Sequence, residues 1–187
     1  NPEEPEALKL GIEYCEKVGA DLLLATDPDS DRIGVAVRHG DTYQKLNGNQ
    51  VGILLLDYIL KCRQEAGTLP KNPVMLKTIV TTSMADRIAE HYGVEVMNTL
   101  TGFKYIGEQI GFLEQAGEAK RFVFGFEESC GYLIGSYVRD KDAIGAAMVI
   151  CEMADAYKSI GKTLVDVLEE LYAAYGRYTT ELKNYTF

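Results

Sequence analysis

Asp27-Pro28-Asp29-Ser30-Asp31-Arg32 follows the apolar run Leu22-Leu23-Leu24-Ala25-Thr26 without a break. Three carboxylates this close repel one another unless a positive charge sits among them. In an extended loop their alternate spacing can point all three side chains toward one centre. Hard oxygen donors of this kind suit Mg²⁺ or Mn²⁺. Arg32 adds a planar donor fork at the rim, suited to phosphate. A solvated acidic turn capping a helix would have the same composition. The metal reading is preferred because the triplet ends one apolar strand and Ile33-Gly34-Val35-Ala36-Val37 resumes directly after it.

Two other metal motifs share part of this pattern. An EF-hand loop also opens D-x-D-x-D, but then needs Gly at its sixth position and Glu at its twelfth. Arg32 and Arg38 occupy those places, which excludes it. Haloacid-dehalogenase-type phosphatases set an Asp pair after a strand, with Thr or Val two places beyond. Asp31 stands there instead, so a Mg²⁺ phosphatase with Asp27 as nucleophile survives only as an alternative. Further along, Glu127-Glu128-Ser129 places a carboxylate and a hydroxyl two residues apart. Such a pair suits adjacent hydroxyls of a sugar, with Glu128 facing the other way and bracing the loop. From the residues alone, a turn or helix-cap cluster explains it equally well.

Taken together, four segments resemble the α-D-phosphohexomutases, the family of phosphoglucomutase and phosphomannomutase. They are Asp27-Pro28-Asp29-Ser30-Asp31-Arg32, Thr101-Gly102-Phe103-Lys104-Tyr105-Ile106-Gly107-Glu108, Gly125-Phe126-Glu127-Glu128-Ser129-Cys130-Gly131-Tyr132 and Arg139-Asp140-Lys141-Asp142. They occur in the family's order, and the resemblance is strongest to the phosphoglucomutase and phosphopentomutase branch. It implies that Asp27, Asp29 and Asp31 ligate Mg²⁺ and that Arg32 holds a phosphoserine or an arriving phosphate. It implies that Glu127 and Ser129 bind sugar hydroxyls, while Thr101 and Gly102 read sugar orientation and Phe103 offers a ring face. Lys104 either touches phosphate or solvates a helix start, and Arg139 lies with the substrate-binding residues. Lys141 is cast as the general acid/base, with a pKa lowered by Arg139 and the metal. The alternative for Lys141 is an exposed charge cluster ahead of a helix capped by Asp142.

The resemblance also implies the reaction: interconversion of hexose 1-phosphate and hexose 6-phosphate, through an enzyme phosphoserine and a 1,6-bisphosphate intermediate. Glucose 1,6-bisphosphate would serve as primer. The family's serine segment, resembling Thr-Ala-Ser-His-Asn-Pro, does not occur in these 187 residues, nor does its phosphate-gripping loop rich in Arg, Ser, Gly and Thr. The expectation is therefore a central fragment, inactive alone, whose partners are a small sugar phosphate and domains 1 and 4 of the same polypeptide. A non-catalytic sugar-phosphate or Mg²⁺-binding module is the rival of a different class.

Composition agrees with a globular chain: 47% hydrophobic and 25% charged residues. The net charge of −9 argues against nucleic acid and acidic membranes as partners. Lys104, Arg32, Arg139 and Lys141 nonetheless gather in or beside the motif loops, which predicts a positive cleft in an acidic protein. The longest apolar run, Ile53 to Leu60 across Asp57, is too short to span a bilayer. Cys15, Cys62, Cys130 and Cys151 contain no C-x-x-C pair and are expected to be reduced thiols in a cytoplasmic protein.

The elements that must position these loops follow from periodicity and breakers. Helices are predicted at 5–18, 50–64, 83–92, 105–115, 143–158 and 163–175, with Ser83 capping the third. Strands are predicted at 21–26, 33–37, 42–46, 74–80, 94–99, 122–126 and 132–134. Alternation of this kind predicts an α/β fold with a mixed, mostly parallel sheet flanked by helices, preceded by part of a similar α/β domain. The expected divisions are 1–47 for the metal-binding part, 48–176 for the sugar-binding domain and 177–187 for an extended lead into domain 4.

Overall fold

The structure, a computed structural model, describes residues 1–179. Helix α1 (Pro5–Val18) leads into strands β1 (Leu22–Thr26), β2 (Ile33–His39) and β3 (Thr42–Leu46). These form an antiparallel meander in the order β1-β2-β3. A long helix α2 (Gly48–Glu65) then opens the second unit: β4 (Val74–Thr78), α3 (Met84–His91), β5 (Glu95–Thr99), α4 (Phe103–Gln115), β6 (Phe122–Glu127), β7 (Gly131–Leu133), α5 (Ala143–Ser159) and α6 (Leu164–Tyr175). Its sheet runs β5-β4-β6-β7, with the first three strands parallel and β7 turned back against β6. The mixed, mostly parallel sheet flanked by helices is thus present.

One apolar cluster joins Ile33, Val35, Val37 and Leu46 of the meander to α2, α5 and α6. The two sheets also meet through backbone. Arg32 forms an isolated antiparallel bridge to Gly131, and the Ile33 N–H donates to the Cys130 carbonyl at 3.1 Å. No helix among the described residues is long and apolar enough to cross a membrane.

Several boundaries differ from expectation for local reasons. α2 starts two residues early because Asn47 caps it reciprocally with Gln50, each side chain accepting the other's backbone N–H at 2.9 Å. α4 likewise begins at Phe103. Ser83 does not cap α3 through its side chain; the Thr82 hydroxyl accepts from Met84 N–H instead, at 3.3 Å. β4 ends at Thr78, leaving Ile79 and Val80 exposed in the turn beyond. Asp142 does cap α5, accepting from Ile144 and Gly145 N–H at 3.0 and 3.1 Å. Of the expected tail, 177–179 are exposed without regular structure, and 180–187 lie outside the described residues.

Candidate active site

The loop Asp27–Arg32, the expected metal loop, is the β1–β2 connection. Asp27 organises it: one carboxylate oxygen accepts from Asp31 N–H at 3.1 Å and Arg32 N–H at 3.0 Å. Burial opposes the Asp27 charge, but these backbone donors outweigh it and hold the carboxyl below its ordinary range. Ser30 takes a left-handed conformation (φ 57°) to close the turn. One oxygen from each of Asp27, Asp29 and Asp31 lies within 4.8 Å of the others. Neighbouring oxygens of an octahedral Mg²⁺ stand about 3 Å apart and opposite ones about 4.2 Å, so the three donors suit a small divalent cation once the loop draws them together. Arg32 is half-buried and, among the described residues, forms no ion pair.

The loop around Glu127-Glu128-Ser129, the expected sugar loop, is the β6–β7 connection. Glu127 ends β6 at 5% exposure. Its Oε1 accepts the Gly102 N–H at 2.8 Å, where Gly102 precedes α4 with φ 118°, a conformation open to glycine. Burial pushes the Glu127 carboxyl up; the Gly102 bond opposes this, and neighbouring Glu128 adds to it. Glu128 braces the loop through Thr78 and Thr81. Cys130 adopts φ 61° and is buried, which pushes its thiol up to about 11 and leaves it a poor nucleophile. Gly48 of α2 packs against the same loop so closely that an added Cβ would collide with the Glu128 carbonyl oxygen.

Lys141 ties the two loops together. Its stem crosses Gly131, leaving no room there for a Cβ. Its ammonium lies 2.8 Å from Asp31 and 2.9 Å from Asp140 and sits over the Phe103 ring at 5.5 Å from its centroid. Among the protein groups alone, the expected depression of its pKa does not arise. Burial works against the charge, but hydrogen bonds to Asp31 and Asp140 prevail and raise it. Arg139 contributes nothing to a depression, because its guanidinium turns away to the Ser136 carbonyl at 2.7 Å and to Glu114.

The other expected residues divide. Phe103 is 3% exposed within the core, its ring covered by Lys141 rather than open to a ligand. Thr101 is exposed and Ser129 half-buried. Lys104 folds onto the neighbouring Tyr105 ring, 4.9 Å from its centroid. The structure therefore brings together Asp27, Asp29, Asp31, Glu127, Gly102 and Lys141, and sets Lys104 and Arg139 aside. Sequence inspection missed Thr78, Thr81 and Gly48. No local signal marks them, since the two threonines are 50 and 47 residues from the glutamate they contact.

Three converging carboxylates and a buried glutamate loop, joined by a charged lysine on a mixed α/β scaffold, set the arrangement against which known proteins are compared. Residues 47–175 match the phosphoglucomutase/phosphomannomutase alpha/beta/alpha domain III and residues 1–40 match domain II, and the chain belongs to that family. It is 40% identical, over its whole length, to phosphoglucomutase from Staphylococcus aureus strain USA300, and spans 33% of that relative. A crystal structure of a phosphomannomutase-type protein from Thermus thermophilus superposes with TM-score 0.72 at 28% identity, covering 94% of this chain and 36% of that one. A phosphoglucomutase/phosphomannomutase family protein from Burkholderia thailandensis shares the fold with TM-score 0.68 at 19% identity, covering 91% of this chain and 33% of its own.

Proposed function

We propose that this chain supplies the metal loop and the sugar grip of an enzyme that moves a phosphoryl group between C1 and C6 of a hexose. The reaction would pass through an enzyme phosphoserine and a 1,6-bisphosphate. Glucose is the proposed hexose because the relatives at 40% identity are phosphoglucomutases. The observation that carries the reading is the junction of the two loops, made by the Arg32–Gly131 bridge and by Lys141 lying between them.

Asp27, Asp29 and Asp31 would hold Mg²⁺, whose charge offsets that on a transferring phosphoryl group. Arg32, unpaired among the described residues, is free to take phosphate oxygens in a bidentate fork. Glu127 and Ser129 take adjacent sugar hydroxyls, as acceptor and hydroxyl partner. Lys141, paired with two carboxylates, starts charged, so it gives a proton or holds charge at the bridging oxygen before it can accept one. Thr101 and Gly102 border the sugar; Lys104 and Arg139 reach substrate only by leaving their present partners. No serine segment of the family type lies in the chain, so it binds ligand without turnover.

A coupled assay of glucose 1-phosphate conversion, with Mg²⁺ and glucose 1,6-bisphosphate, tests this directly. The isolated chain should give a flat trace, and a longer protein that adds the serine segment should turn over. Turnover by the chain alone would overturn the reading and require a nucleophile within it.

A further inference from the structure

Beneath the sugar loop lies a cluster that none of the expected roles uses. Thr78 closes β4 and Thr81 sits in the following turn, both buried at 0% and 3% exposure. Their hydroxyl oxygens are 2.7 Å apart, and both reach Glu128 Oε2, at 3.2 and 3.0 Å. Three oxygens thus share two protons: each hydroxyl can donate to Glu128, and either can also donate to the other. The turn bearing Thr81 is itself anchored. Lys77, its side chain 4% exposed, donates to the Thr81 carbonyl at 3.3 Å and pairs with Asp86 at 3.2 Å.

Neutral donors suit this position. They satisfy Glu128 without bringing a further charge to a loop that already holds two carboxylates, and leave Glu127 to Gly102. On the other side of the loop, the Glu128 carbonyl rests against Gly48. The peptide between Glu127 and Ser129 is therefore gripped at its side chain by β4 and at its backbone by α2.

We propose that Thr78 and Thr81 are positioning residues: by clamping Glu128 they fix the orientation of Glu127 and Ser129, and with it the affinity of the loop for sugar. The effect on ligand rests on the reading above, whereas the clamp is a property of the chain itself. Replacing both threonines by valine keeps their shape and removes the hydroxyls.

The experiment follows the ¹⁵N-labelled chain by NMR with glucose 1-phosphate as probe. In T78V/T81V the Gly102 amide proton should move upfield as its bond to Glu127 loosens, and affinity should fall about tenfold, the worth of one well-made polar contact. Thr81→Ser should retain both properties, and the single T81V should show the same changes at smaller size if the double variant does not fold. A folded valine variant with an unmoved Gly102 amide overturns the clamp. A moved amide with unchanged affinity overturns the positioning role, and a fall in Tm alone assigns the hydroxyls to stability. Should the unaltered chain not bind glucose 1-phosphate, the sugar reading fails, while the Gly102 amide still decides the clamp.

Discussion

In the Asp27–Arg32 loop three carboxylates converge, half or fully exposed, with Lys141 as their close cation. In the Glu127–Ser129 loop two carboxylates are set into the structure, and each already accepts hydrogen bonds from β4, its following turn or the start of α4. The first loop is organised by its own backbone around Asp27, and retains an excess of negative charge. The second is organised by segments distant in sequence and needs nothing further to stay folded. A loop of crowded, solvent-facing carboxylates and a loop whose carboxylates are already hydrogen-bonded respond to different perturbations, which makes the contrast testable.

The largest effect belongs to the satisfied loop. Gly48→Ala drives a methyl into the Glu128 carbonyl, against backbone that cannot rotate away. Urea denaturation should show a loss of about 3 kcal/mol or more; an unchanged midpoint would mean that α2 and the loop are not in contact. The Asp27–Arg32 loop, on the proposed reading, should instead gain from a divalent ion. At a hundred times its Kd, Mg²⁺ should stabilise the chain by roughly 2.7 kcal/mol, several degrees in Tm. Asp29→Asn should abolish most of that gain, and equal gains in both proteins would remove the metal assignment.

Lys141→Met comes next. Its pair with Asp31 is largely buried, 11% and 26% exposed on the two side chains, so loss of about 1–3 kcal/mol is expected without metal. With Mg²⁺ present the loss should shrink, because the ion takes over the neutralising charge. A loss that ignores Mg²⁺ would separate Lys141 from the metal loop.

The smallest effect has the opposite sign. Burial raises the Glu127 carboxyl, although Gly102 opposes it, so the folded chain holds that proton more tightly than the unfolded chain. Stability is then lost as pH rises from the ordinary carboxylate value through the raised one. Glu127→Gln, still able to accept from Gly102, should be modestly more stable than the parent at pH 7, with the gap closing in acid. It should bind sugar more weakly at the same time. A variant less stable than the parent at pH 7 would contradict the sign.

The contrast also explains what the sequence could disclose. The convergence of Asp27, Asp29 and Asp31 was legible because it is contained in six consecutive residues. Strand and helix alternation was legible for the same reason, as were Asp142 as a cap and Glu128 as a brace. What braces Glu128 was not, since Thr78 and Thr81 look like ordinary end-of-strand residues until the sheet assembles. The charge balance at Lys141 was only half legible: Asp140 stands beside it in sequence, but Asp31 lies 110 positions away and Arg139, two residues off, faces elsewhere. Phe103 reads as a ring on offer, yet the same register that starts α4 there drives it into the core.

The backbone bridge between Arg32 and Gly131, with the Ile33–Cys130 hydrogen bond beside it, has a mechanical consequence. It welds the two loops into a single jaw. On the proposed reading, the distance from a bound cation to a held sugar would be a fixed gauge, because widening it would unzip main chain from main chain. Turning a two-ended sugar between half-reactions would then fall to the sugar itself or to parts of the protein beyond these two loops.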